Sequence, residues 1–184
     1  MNDLSRIKGK LTVTVFGPDG RIKRRAPNRL QRLLGLRGGL MMMVNRNIVT
    51  DEGDALIADL MSQTPARVKV DSTNGHIDVG TGWTGTSIKT QTVVNAPTGS
   101  PEVMDTTYPK QKGAFGAAND NVVQYRSTYE AGDLNATGIN EAGLINNATR
   151  GSADMLAYAQ ITPSVNVGTS DTLQVDWELT LLGA

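Results

Sequence analysis

The sequence has no cysteine and a single histidine, His76, in 184 residues. Without cysteine there is no disulfide, no thiolate zinc or iron–sulfur site and no cysteine nucleophile. One imidazole excludes any centre that needs two, and it leaves a Ser/His/Asp triad one candidate base. No G-x-S-x-G motif supplies that base with a nucleophile. Aromatic residues make up only 4%, so the core must come from Val, Ile, Leu, Met and Ala. No apolar run approaches the ~18 residues of a membrane-crossing helix. The opening MNDLSRIKGK lacks the apolar stretch of a signal peptide. These absences lead us to expect a chain made in the cytoplasm, without membrane contact, resident metal or cofactor, and not an enzyme.

What is present is unevenly placed. The 18 basic and 18 acidic side chains cancel overall, but residues 1–46 hold eleven basic groups against Asp3 and Asp19, a net +9 that residues 47–184 balance with −9. Such a split predicts a basic N-terminal arm, 1–46, joined to an acidic body, 47–184. The arm's candidate contact residues are Arg21, Lys23, Arg24, Arg25, Arg29, Arg32 and Arg37, followed by the flexible apolar Met41, Met42 and Met43. It could lie solvated on its own body, dock on an acidic neighbour or bind nucleic acid. Phosphate is the commonest partner of a basic patch. Here, however, only Phe16 interleaves with the cations, so no stacking platform for single strands is visible.

Twenty glycines and seven prolines predict many turns. LTVTVF (11–16), the turn Gly17-Pro18-Asp19-Gly20 and a return over 21–24 predict a short hairpin within the arm. Leucine-rich 27–39 reads as a short helix or an adapting loop. Thr50 as cap, Asp51 and Glu52 in the first turn and Pro65 beyond the end predict a helix within 47–62. Its apolar stripe is Leu56, Ile57, Leu60 and Met61. From residue 67 the period changes to two, predicting strands at 67–71, 76–80, 90–95, 121–130, 138–145, 153–161 and 172–182. The turn-rich stretch 97–120 reads as a loop with one short strand near 106–108. Strict alternation, clearest at Leu173, Val175, Trp177, Leu179 and Leu181, implies one buried and one wet face and hence antiparallel pairing. The expected fold is mainly β, an antiparallel β-sandwich of jelly-roll kind with one short helix and an extended basic N-terminal arm.

Gly80-Thr81-Gly82-Trp83-Thr84-Gly85 matches G-x-G-x-x-G, but β-branched residues follow where a dinucleotide site needs a helix, and Thr86 stands where a P-loop needs lysine. It reads as a glycine-rich loop. His76 reads as a surface or strand-end residue. Asp78, Glu141, Asp176 and Glu178 fall on predicted strands, the last two on a wet face. Glu141 lies on what reads as an inward face, where a buried carboxylate must find a backbone or cationic partner. A hydrogen bond to a neighbouring loop is expected there.

Five segments in order carry a resemblance: Asn47-Ile48-Val49-Thr50-Asp51-Glu52-Gly53, then Ile77-Asp78-Val79-Gly80-Thr81-Gly82, then Ile139-Asn140-Glu141-Ala142-Gly143-Leu144, then Met155-Leu156-Ala157, then Asp171 through Leu179 with its L-x-V-x-W-x-L pattern. Over residues 44–184 the chain resembles structural proteins of tailed-bacteriophage virions, the tail-collar, tail-fibre attachment, neck and head-decoration subunits. The resemblance implies a β-sandwich subunit located in the virion, with no catalytic residues to carry over. Thr50, Gly53, Gly80, Gly82, Glu141, Gly143 and Trp177 would be scaffold positions. Its partners would be other virion proteins and copies of itself, as a homo-oligomer such as a trimer or ring. A tail, neck or fibre-attachment subunit is the leading expectation. A capsid decoration (cement) protein is the first alternative, and a carbohydrate- or receptor-binding sandwich module the second.

Overall fold

The computed structural model describes residues 7–85 and 89–181. Nine strands and two helices follow in chain order: β1 (Lys8–Phe16), α1 (Arg29–Leu33), β2 (Met42–Val49), α2 (Asp51–Leu60), β3 (His76–Gly80), β4 (Glu102–Val103), β5 (Lys110–Gln111), β6 (Val122–Tyr129), β7 (Ala136–Ile145), β8 (Met155–Val167) and β9 (Thr172–Thr180). All nine strands belong to one antiparallel sheet in the order β4-β3-β7-β8-β2-β1-β9-β6-β5. The sheet curls into a half-barrel. The segment after β4 reaches β6 through the Asp105 N–H donating to the Arg126 carbonyl (2.8 Å). The Ser127 hydroxyl donates to the Glu102 carbonyl (3.1 Å) and the Tyr129 hydroxyl to Ile77 O (2.6 Å). The strands are thus hydrogen-bonded into one curled sheet.

The inner faces follow from the alternation. Leu11, Val13 and Val15 of β1 and Leu173, Val175, Trp177 and Leu179 of β9 are buried. Leu11 stands opposite Trp177, which in turn faces Tyr125 of β6. The wet faces of β6 and β9 carry a charge ladder: Arg126 Nε to Asp176 (2.6 Å), and Lys112 Nζ and Gln124 Nε2 to Glu178 (2.7 and 2.9 Å). Every residue of β3 is buried, so both faces of that strand are covered.

Several expectations need correction. The expected arm, residues 1–46, is not separable over its described part, 7–46. β1 is an interior strand between β2 and β9, and the boundary at 46 cuts through β2. The charge split misled because the cations of β1 and β2 alternate with core residues on the same strands. Met41 and Met43 are buried in the core, and only Met42 is exposed. Period two was also overread at 67–71 and 90–95, which are irregular and are held by side chains rather than by a ladder. In 97–120 the short strands are 102–103 and 110–111, while 106–108 is a turn with Thr107 at φ 80°. Of the expected 11–16/21–24 hairpin the structure has one bridge, Phe16 to Ile22, and the Lys23 N–H donating to Val15 O (2.8 Å), while Arg24 bridges to Leu40 instead. His76 begins β3 and is buried, with Nδ1 2.9 Å from Asn74 O.

Candidate functional site

Two places concentrate the residues singled out in the sequence. The first is a junction of α2, β3, β7, β8 and the loop after β3. Thr50 caps α2: its hydroxyl oxygen accepts from the Gly53 N–H (3.0 Å) while its O–H donates to Met155 O. Gly53 lets the helix lie directly on β8, since a Cβ there would sit 2.1 Å from the Leu156 carbonyl oxygen. At Gly80 a Cβ would come within 2.6 Å of both Ala96 O and Glu141 Oε1, and at Gly82 within 2.7 Å of Ala96 N. A Cβ at Gly143 would approach Met155 Cε to 2.7 Å.

At the centre of this junction is Glu141, fully buried on β7. Its Oε1 accepts the N–H groups of Gly82 (2.8 Å) and Ala96 (3.0 Å). Its Oε2 accepts the Asn95 N–H (3.1 Å) and the Tyr158 hydroxyl. Four donors satisfy one carboxylate, and no cation takes part. The effect is to latch both ends of the 81–97 loop onto the sheet. Burial, and then the bond to Glu141, push the Tyr158 phenol well above the ordinary range. Trp83 stacks on the Tyr158 ring (5.4 Å between centroids), and its N–H donates to Asn140 Oδ1 (2.9 Å) from the backbone. Nearby Asp78 is buried and bound in fork geometry by Arg150 (2.7 and 2.8 Å), whose guanidinium also donates to Gly99 O (2.6 Å). Both carboxylates are partnered from within the chain, while the indole Nε1 of Trp83 is buried without a partner among the described residues. The chemistry of this junction is that of a clamp.

The second place is the excursion 17–41 between β1 and β2. Its base is tied down. Lys23 pairs with buried Asp171, Arg24 donates to Gly38 O (3.1 Å), and Arg25 donates to Pro163 O and Ser164 O (both 3.1 Å) of β8. Burial opposes ionisation of Asp171, yet the Lys23 ammonium and the Gly168 N–H outweigh it and hold that carboxyl below the usual range. Beyond the base the chain forms α1. Asn28 and Gln31 cap each other's backbone in a capping box (2.8 and 2.9 Å). Gly35, at φ 67°, turns the chain out of the helix.

No residue of α1 is buried. Leu30, Leu33, Leu34 and Leu36 are 63, 81, 60 and 54% exposed. A monomer gains nothing from four leucines held in water, and contiguous apolar surface of this kind marks a contact site. The sequence showed them as an apolar cluster but not their exposure, which depends on the sheet closing without them.

The cations of the two halves behave differently. Of the seven basic residues after 46, Arg67, Lys69, Lys89, Lys112, Arg126 and Arg150 pair with carboxylates, and Lys110 lies 4.4 Å over the Tyr108 ring. Of the ten described before it, Lys23 alone does. Arg21, Arg29, Arg32 and Arg37 have no carboxylate partner among the described residues, Arg32 donating only to Pro27 O (3.0 Å). The candidate contact residues therefore divide: Lys23, Arg24 and Arg25 fasten the excursion, while Arg21, Arg29, Arg32 and Arg37 face outward with the leucines.

A cleft of ≈ 620 Å³ beside Lys8, Lys10 and Arg46 adds a further cationic surface at the β1–β2 seam. Among the described residues no three acidic or histidine side chains gather as a metal site, and no helix is long and apolar enough to cross a membrane. No family model, curated protein or solved structure matched the chain.

Proposed function

We propose that this chain is a structural subunit of a tailed-phage virion, in the tail, neck or fibre-attachment region, fixed to neighbouring subunits through the excursion 17–41. The observation that carries the docking role is the exposed Leu30-Leu33-Leu34-Leu36 cluster set among unpaired arginines. Apolar area provides the driving force for association, and unsatisfied charge provides selectivity. The placement in a virion rests on the resemblance over 44–184. The Glu141 junction is consistent with that role, because both of its carboxylates are held by donors of the chain itself.

A capsid decoration protein has the same parts, a rigid β body and an anchoring projection, and a particle reconstruction separates the two by position. We also read the curled sheet as two facing layers of a sandwich, the β3–β6 bond from Tyr129 to Ile77 O crossing between them. A carbohydrate-binding module is less well supported, since Trp83 is stacked on Tyr158 and Tyr108 is buried. Phe115 remains as a fully displayed loop ring.

Excision tests the proposal. The Arg25 N–H donates to Gly39 O (2.8 Å), so residues 26–38 can be replaced by Asn-Gly as a two-residue hairpin turn. The shortened chain should fold as before and be missing from purified particles, as read by mass spectrometry. Normal incorporation of the shortened chain, or absence of the intact chain from particles, would overturn the reading.

A further inference from the structure

We infer that the excursion docks on a second copy of this chain, in the shallow acidic groove where β4 meets the end of β6. This rests on the docking role proposed above and names its partner. The groove is lined by Glu102, Val103, Asp105, Thr128 and Glu130, with Asp133 on the turn that follows.

The charges complement. Among the described residues, Glu102, Asp105, Glu130 and Asp133 have no cationic partner, in a chain where most other carboxylates on the body are paired. Asp105 accepts only from the Thr128 hydroxyl (2.8 Å), and Asp133 from the Glu130 N–H (2.7 Å). The four crowd one another: burial, and then Asp133, Asp105 and Glu130, raise the Glu102 carboxyl above its usual range. Exposed Val103 adds an apolar seat. Arg29, Arg32 and Arg37 beside the leucines bring the opposite charge and the matching apolar surface.

Within one copy, the described residues of the excursion form no ion pair with this groove. The excursion leaves β1 at Phe16, opposite Thr172, and the acidic turn leaves β6 at Tyr129, opposite Leu173. Both therefore project from the same end of the half-barrel, with β9 alone between their strands, about 10 Å apart. Yet Arg25 fastens the excursion to Pro163 and Ser164 on the β8 side, away from β6. A cationic flank and an acidic flank at one end of the same molecule fit side by side in successive copies. Reciprocal docking of this kind closes a two-fold dimer, and head-to-tail docking closes into a ring or runs on as a filament.

Sedimentation velocity on the intact chain provides the test, at about 50 mM and about 500 mM salt. Low salt should give species larger than the monomer, and high salt should dissociate them. Arg29→Glu with Arg32→Glu, or Glu102→Lys with Glu130→Lys, should each weaken association by about tenfold or more. The chain carrying all four changes should reassociate. Glu130→Lys alone, at an exposed site, keeps the test valid if Glu102→Lys does not fold. A wild-type chain that is monomeric throughout overturns the inference, as does association unaffected by the groove changes. So does an excursion that binds duplex DNA in place of the groove. If self-association fails while excision of 26–38 still removes the chain from particles, the partner is another protein and the docking role stands.

Discussion

At Gly53 two residue-scale effects oppose each other. Alanine is favoured over glycine inside a helix by ~1 kcal/mol, but here its methyl would overlap the Leu156 carbonyl, and displacing packed backbone costs ~1–3 kcal/mol. Packing should win: Gly53→Ala is expected to lower the urea midpoint despite its better propensity. Glu141→Gln puts an amide NH2 where Oε2 accepts from Asn95 and Tyr158, setting donor against donor. A loss of about 2–3 kcal/mol is expected, with the 81–97 loop released and Trp83 emission shifted to the red as it leaves the Tyr158 ring. A preserved emission maximum would refute the latch. Glu102 gives a pH-dependent case. A carboxyl raised by folding contributes stability that is fully present below its unfolded pKa and is lost as pH rises through the folded value. Glu102→Gln should therefore raise the melting temperature near pH 7, with the gain gone below about pH 4. Asp171, held low by Lys23, has the opposite sign: its contribution is present at neutral pH and lost as pH falls through its folded value. Acid should loosen the base of the excursion while relieving the acidic groove.

At the scale of elements, α2 depends on its cap. Thr50→Ala removes both the bond to Gly53 N–H and the bond to Met155 O, and should cost about 1–2 kcal/mol by denaturant titration. An unchanged midpoint would mean that packing on β8 alone holds the helix. Elements that carry their own signal were legible in the sequence. Thr50, Asp51 and Glu52 marked the start of α2, GPDG marked the end of β1, and alternation marked β3, β6, β7 and β9 within a few residues, while β8 runs six residues past the expected end at 161. Elements defined by distant partners were not. β2 was hidden because MMMV has no alternation to show, and its strand character comes from lying between β1 and β8. The segment 90–95 alternates as a strand does, but it joins no ladder, and its Asn95 N–H goes to the Glu141 carboxylate, 46 residues away. Glu141 itself was legible as a carboxylate in need of partners, though its four donors were not. Exposure of the α1 leucines was illegible for the same reason. Composition gives an apolar cluster, and only the folded chain shows that none of its described residues covers it.

On the scale of the whole molecule, the excursion and the strands that carry it have different standing. Removing residues 26–38 should leave the melting temperature nearly unchanged, whereas removing residues 7–16 takes Leu11, Val13 and Val15 out of the core and should leave no folded product by circular dichroism. β1 pairs with β9 along its whole length, from Lys8 opposite Thr180 to Phe16 opposite Thr172. β1 thus waits for a partner strand that lies far along the chain. On the ribosome, β1 keeps one edge unfilled until β9 has been made. Such distant pairing folds slowly and leaves an edge open to aggregation meanwhile. A chain cut short before β9 should then be insoluble rather than a smaller folded protein, as read by fractionating the expressed product, and the pairing of β1 with β9 acts as a check on whether the last strand has been made.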